Sequence, residues 1–64
     1  MSVSGDKMRA LRGSKSQAEV AKGIGIPPST YASYEQGIRT PKDSMKKRIA
    51  EYYHRSVAFI FFSD

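Results

Sequence analysis

The chain has 64 residues, with 11 Lys plus Arg against 6 Asp plus Glu, a net charge of +5, one His and no Cys. A chain this short forms one domain, residues 1–64, that buries only roughly 60% of its unfolded surface, and it has little room to wall off a catalytic pocket. Without thiols there is no disulfide, thiolate zinc site or cysteine nucleophile, and His54 alone builds no metal site; enzymes, zinc fingers and stapled secreted mini-proteins are disfavoured, with no metal, cofactor or small-molecule ligand expected.

No window reaches the roughly 18 apolar residues that a membrane span needs. The opening Met1-Ser2-Val3-Ser4-Gly5-Asp6 lacks the basic-then-apolar order of a signal peptide, so the expectation is a cytoplasmic protein with no membrane partner. Met8 and Leu11, three apart, predict a short first helix that Gly13-Ser14-Lys15 interrupts. Ser16-Gln17-Ala18-Glu19 has the form of a capping box, in which the Ser hydroxyl accepts an orphan backbone N–H and Glu reaches back. A second helix starts there, with Val20, Ala21 and Ile24 on its buried stripe and Gly25 as a left-handed end.

Pro27-Pro28-Ser29-Thr30 restarts a helix, because proline in a first turn loses no hydrogen bond. Tyr31 and Tyr34 face inward, Tyr31 with a hydroxyl that is also a candidate for a phosphate, and Gly37 ends this third helix. After Ile38-Arg39-Thr40-Pro41 comes a fourth helix, with Thr40 as N-cap, Pro41 in its first turn and Asp43 as the acidic partner. Met45, Ile49 and Tyr52 or Tyr53 mark its core face, while Lys46, Lys47 and Arg48 crowd the other side as a solvated face, and His54 sits at its end. Residues 57–62 are apolar on every side and fit a short helix, a strand or an interface segment equally.

Two short helices joined by a turn with Gly and a branched apolar residue, at about 16–37, have the layout of a helix-turn-helix. That geometry leaves the N-terminal half of the second helix free to enter a DNA major groove. The basic balance agrees, because Lys and Arg beside phosphates release condensed counterions.

The order Ser16-Gln17-Ala18-Glu19-Val20-Ala21, Ile24-Gly25-Ile26, Ser29-Thr30-Tyr31, Tyr34-Glu35-Gln36-Gly37 and Arg39-Thr40-Pro41, then Lys47, Ile49-Ala50 and Ser56-Val57, resembles the Cro-like (xenobiotic-response-element type) helix-turn-helix regulators. These are phage and bacterial transcription factors related to the lambda Cro and repressor DNA-binding domains. The resemblance runs from about Met8 to Phe62. It implies an all-α, compact four- to five-helix lambda-repressor-like domain that binds a pseudo-palindromic double-stranded operator as a homodimer.

Carried over by position, the resemblance puts Pro28, Ser29, Ala32 and Ser33 at base edges, and Gln17, Thr30, Gln36, Arg39 and Thr40 at phosphates. Lys42, near a helix N-terminus, is a further phosphate candidate. It also implies an ion pair between Arg12 and Glu35, although the segment between Arg12 and Ser16 is about two residues shorter than is usual in the family. Family members often carry Gln, Arg or Asn early in the third helix, where Pro28, Ser29 and Ser33 stand here. Specificity is therefore expected to rest on thymine-methyl contact by Pro28 or Ala32, on serine hydroxyls, on water and on DNA shape.

Phe59, Ile60, Phe61 and Phe62 are more apolar surface than so small a domain can bury, so they are candidates for a dimer interface or for folding back over helices one and four. The functional expectation is a phage- or mobile-element-type regulator that represses by occluding a promoter. The alternative is a helix-turn-helix protein-interaction module, an antirepressor or antitoxin, acting through the apolar C-terminal segment.

Overall fold

Ser16 opens the second helix as its sequence demands: its Oγ accepts the Glu19 N–H at 3.0 Å, and the Glu19 carboxylate accepts the Ser16 N–H at 3.3 Å. The computed structural model describes residues 3–62, and among them the order is α1 (Val3–Arg12), α2 (Gln17–Ile24), α3 (Pro28–Gln36), α4 (Asp43–Tyr53) and a terminal π-helical turn (Ala58–Phe62), with no strand. The segment left open between helix, strand and interface is therefore helical.

Three of these helices end in the same way, with a left-handed residue whose N–H, and that of its successor, cover the last carbonyls. Gly25 (φ 94°) and Gly37 (φ 77°) do this for α2 and α3, where the absent Cβ removes the steric cost. For α4 the residue is His54 (φ 57°), which has the only positive φ of any non-glycine among the described residues. Pro27 is the extended residue ahead of α3 and Pro28 its first helical one.

The start of α4 differs from expectation. Thr40 is not the N-cap and Pro41 is not in the first turn; the helix begins at Asp43, and Lys42 is the extended N-cap residue with no side-chain cap bond. Pro41 is instead buried, lining the same cavity as Met8, Tyr34 and Phe61, and the helix starts two residues later.

Met8, Val20, Ala21, Ile24, Tyr31, Tyr34, Ile49, Ala50 and Ile60 form the core, with Leu11, Met45, Tyr52, Tyr53, Val57 and Phe61 packed round it. In this core α2 lies against α3 and α4, while α1 lies against α3 and the terminal turn. Ile60 is therefore corrected as an interface candidate: at 0% exposure its side chain fills the core of its own chain, whereas Phe59 and Phe62 remain 46% and 62% exposed.

In the basic run on α4, Lys47 and Arg48 are exposed as expected, whereas Lys46 is half-buried. Arg48 reaches across to donate from Nη2 to the Ile24 carbonyl at the end of α2. The Lys46 side chain is only 15% exposed, and its Nζ lies 4.8 Å from the Phe62 ring centroid.

Candidate nucleic-acid interface

Helix α3 divides by spacing. Tyr31, Tyr34 and Glu35 are buried, which turns Pro28, Ser29, Ala32, Ser33 and Gln36 to the other side, related by steps of one and four residues. Pro28, Ser29 and Gln36 are exposed, Ala32 and Ser33 half-buried. Thr30 is half-buried on the flank. The structure thus brings the four base-contact candidates onto one face. Ser33 Oγ donates to the Ser29 carbonyl at 3.0 Å, so its hydrogen is engaged and its lone pairs remain for a donor such as a base amino group.

The loop after α3 is tied to the same helix. Backbone N–H groups of Ile38 and Arg39 donate to the Ser33 carbonyl at 3.0 and 3.3 Å, which seats Arg39 and Thr40, both exposed, at the C-terminal end of α3. Lys42 is exposed at the start of α4. Gln17, the first residue of α2, is half-buried with its amide turned toward Glu35. Phe59, Phe61 and Phe62 belong to the terminal turn packed on α1 and are not part of the α3 face.

Behind the face lies a polar network. Glu35 has a fully buried carboxylate that accepts from Arg12 Nε at 2.7 Å, Arg12 Nη2 at 3.2 Å and Gln17 Nε2 at 3.0 Å. Burial alone would raise this carboxyl's pKa, but hydrogen bonds from Arg12, Gln17 and Tyr31, with the charge of Arg12, outweigh it and hold the group below its ordinary value. The hydrogen bond to Glu35 raises the Arg12 pKa in turn. Arg12 Nη1 also donates to the Lys15 carbonyl at 2.8 Å, anchoring the turn ahead of α2. The expected Arg12–Glu35 pair is present.

Tyr31 does not offer its hydroxyl to a phosphate. The side chain is buried, its hydroxyl meets that of Tyr53 on α4, and burial pushes its pKa well up. Two contacts had no sequence signal: the Gln17–Glu35 bond, which joins side chains 18 positions apart, and the Arg48 contact to α2. Both depend on how helices cross, which no local pattern encodes.

A family model described as helix-turn-helix matches residues 7–60, a span that takes in α2, the turn, α3 and the core residue Ile60. The chain belongs to the Cro-like helix-turn-helix family. It is similar to the cryptic phage CTXphi transcriptional repressor RstR of Vibrio cholerae, with 39% identity over 54 residues, 81% of this chain and 49% of that protein. The chain thus spans about half the length of this curated relative. No solved structure matches the chain.

Among the described residues no group of three or more His, Cys, Asp or Glu is placed to hold a metal, and no helix is long and apolar enough to cross a membrane.

Proposed function

We propose that this chain is a sequence-specific double-stranded DNA-binding transcriptional regulator of phage or mobile-element type, which works in the cytoplasm as a homodimer and represses by occluding a promoter. The observation that carries the reading is the outward face of α3, with Pro28, Ser29, Ala32 and Ser33 on one side of a helix whose other side is locked into the core. Two such helices, one from each copy, would enter successive major grooves about 34 Å apart. The phage relative is a transcriptional repressor, which agrees with this reading.

The chemistry divides by position. Gln17, Thr30, Gln36, Arg39, Thr40 and Lys42 supply amide, hydroxyl and cationic donors for phosphate, which fix register and most of the affinity. The α3 face supplies little bidentate hydrogen bonding, so discrimination comes from methyl contact at Pro28 and Ala32, from the serine hydroxyls, and from groove shape.

Selection from a random duplex pool, followed by binding measurements at low and moderate salt, tests this reading. An enriched sequence is expected, with Gln17→Ala and Arg39→Ala weakening binding to all duplexes, and Ser29→Ala or Ser33→Ala altering preference at one or two base pairs. If no sequence is enriched over bulk DNA, the regulator reading falls and the antirepressor or antitoxin reading takes its place. A uniform loss from both sets of variants would remove α3 from the groove.

A further inference from the structure

Gln17 and Glu35 belong to the two halves of the helix-turn-helix, and their side chains meet beneath its surface. Gln17 stands at the first position of α2, half-buried, and its Nε2 donates to Glu35 Oε1 at 3.0 Å. Glu35 stands in the last turn of α3 with a carboxylate at 0% exposure, itself held by two hydrogen bonds from Arg12. We infer that Glu35 is a positioning residue for DNA binding: its buried carboxylate fixes the orientation of the Gln17 amide, so that the remaining Gln17 N–H is presented to a phosphate before DNA arrives.

The physical reason lies in the asymmetry of the two groups. An ionised carboxylate only accepts, whereas a glutamine amide donates from one end and accepts from the other, so the nitrogen end must face Glu35. One N–H is used there, and the second is left for a phosphate oxygen. Arg12 fixes the carboxylate in turn, through a two-point contact that a single lysine could not make. The same Arg12 bonds the Lys15 carbonyl just ahead of Ser16, so the start of α2 and the end of α3 share one anchor. A long side chain ordered in the free protein has less rotamer freedom to lose on binding, and the gain appears as affinity for every duplex rather than as sequence preference. The carboxylate stays ionised through the neutral range, as its depressed pKa indicates, so the amide is held throughout that range.

The inference rests on the double-stranded DNA reading above, and a double-mutant cycle separates the two. The wild type, Glu35→Gln, Gln17→Ala and the double variant are titrated against a duplex enriched from the random pool and against an unrelated duplex, with unfolding followed for each. Glu35→Gln is expected to weaken both duplexes by about two- to tenfold in the wild-type background, with no further loss once Gln17 is alanine. Loss by the same factor in both backgrounds, or no loss in either, overturns the positioning role while leaving DNA binding in place; a wild type that binds neither duplex overturns both.

Because removing one partner of a buried pair can unfold so small a domain, Arg12→Met with Glu35→Met forms a second arm, replacing the pair by packed apolar side chains while still removing the acceptor for Gln17. In the free proteins the Gln17 side-chain amide signals should be resolved and ordered in wild type, and averaged in this paired variant. Equal order in both proteins contradicts the inference without any reference to DNA.

Discussion

Glu35 is the residue on which acid stability turns. Its folded pKa lies below the ordinary carboxyl value, 4.5, so the native state binds fewer protons than the unfolded one in the acidic range. The stability it contributes is fully present above that ordinary value and is lost as pH falls through the lower, folded pKa. Glu35→Gln is expected to reduce unfolding free energy by about 2 kcal/mol at neutral pH, since a charged hydrogen-bond acceptor is lost from a site that Arg12 still faces. The gap between the two proteins, read from urea midpoints, should close as pH is lowered through the acid range. A gap that stays constant down to full protonation would show that the carboxylate's charge contributes nothing to the fold. The identity of Glu35 and the pairing with Arg12 could be read by resemblance, but its second partner, Gln17, could not. Which way an amide points is decided by side chains that only the folded chain brings within 3.0 Å.

At the scale of elements, the ends of α2, α3 and α4 were legible in the sequence, whereas the start of α4 was not. Gly25 and Gly37 stand where a left-handed residue closes α2 and α3, and glycine's freedom at positive φ is a property of the residue itself. The same geometry closes α4 with the N–H groups of His54 and Arg55 on Glu51 and Ala50; His54 was expected at this end, but the left-handed backbone it adopts there is not a preference of histidine. Replacement of His54 by glycine is expected to raise stability by about 0.5–1 kcal/mol, because it relieves the Cβ clash at φ 57° in an exposed position. Thermal unfolding checks it: a lower midpoint would mean that the imidazole makes a contact worth more than the strain. The start of α4 was misread: Thr40-Pro41 has the local chemistry of a helix start, but Pro41 is buried and the helix begins at Asp43.

For the whole molecule, the question is which apolar residues of the terminal turn the core takes up and which it leaves outside. The terminal turn answers it residue by residue. Ile60 completes the core, while Phe59 and Phe62 stay largely outside it, flanked by the cationic ends of Lys7 and Lys46 at 4.8 Å from their respective ring centroids. Ile60→Ala should therefore cost about 2–4 kcal/mol in unfolding free energy, a large part of what so small a domain has. Phe62→Ala should cost less than about 1 kcal/mol and, if the exposed rings join two copies, shift the protein toward monomer in sedimentation. An unchanged sedimentation profile together with unchanged DNA affinity would exclude the terminal turn from any contact between copies.

The sequence alone determined the helical punctuation of α2 and α3, the inward tyrosines, and the family, because capping boxes, glycine ends and three-and-four apolar spacing are local and act within one turn of chain. By resemblance it also proposed Pro28, Ser29, Ala32 and Ser33 as base-facing, and the structure sets these four on the side of α3 away from buried Tyr31, Tyr34 and Glu35. The tertiary structure alone decided that Ile60 is core, that Arg48 closes α2, that Lys46 lies on the terminal aromatics, and that Gln17 is held from beneath by Glu35. Each of these is a contact between residues far apart in sequence. Its free energy depends on distance and burial, quantities that exist only once the helices have crossed.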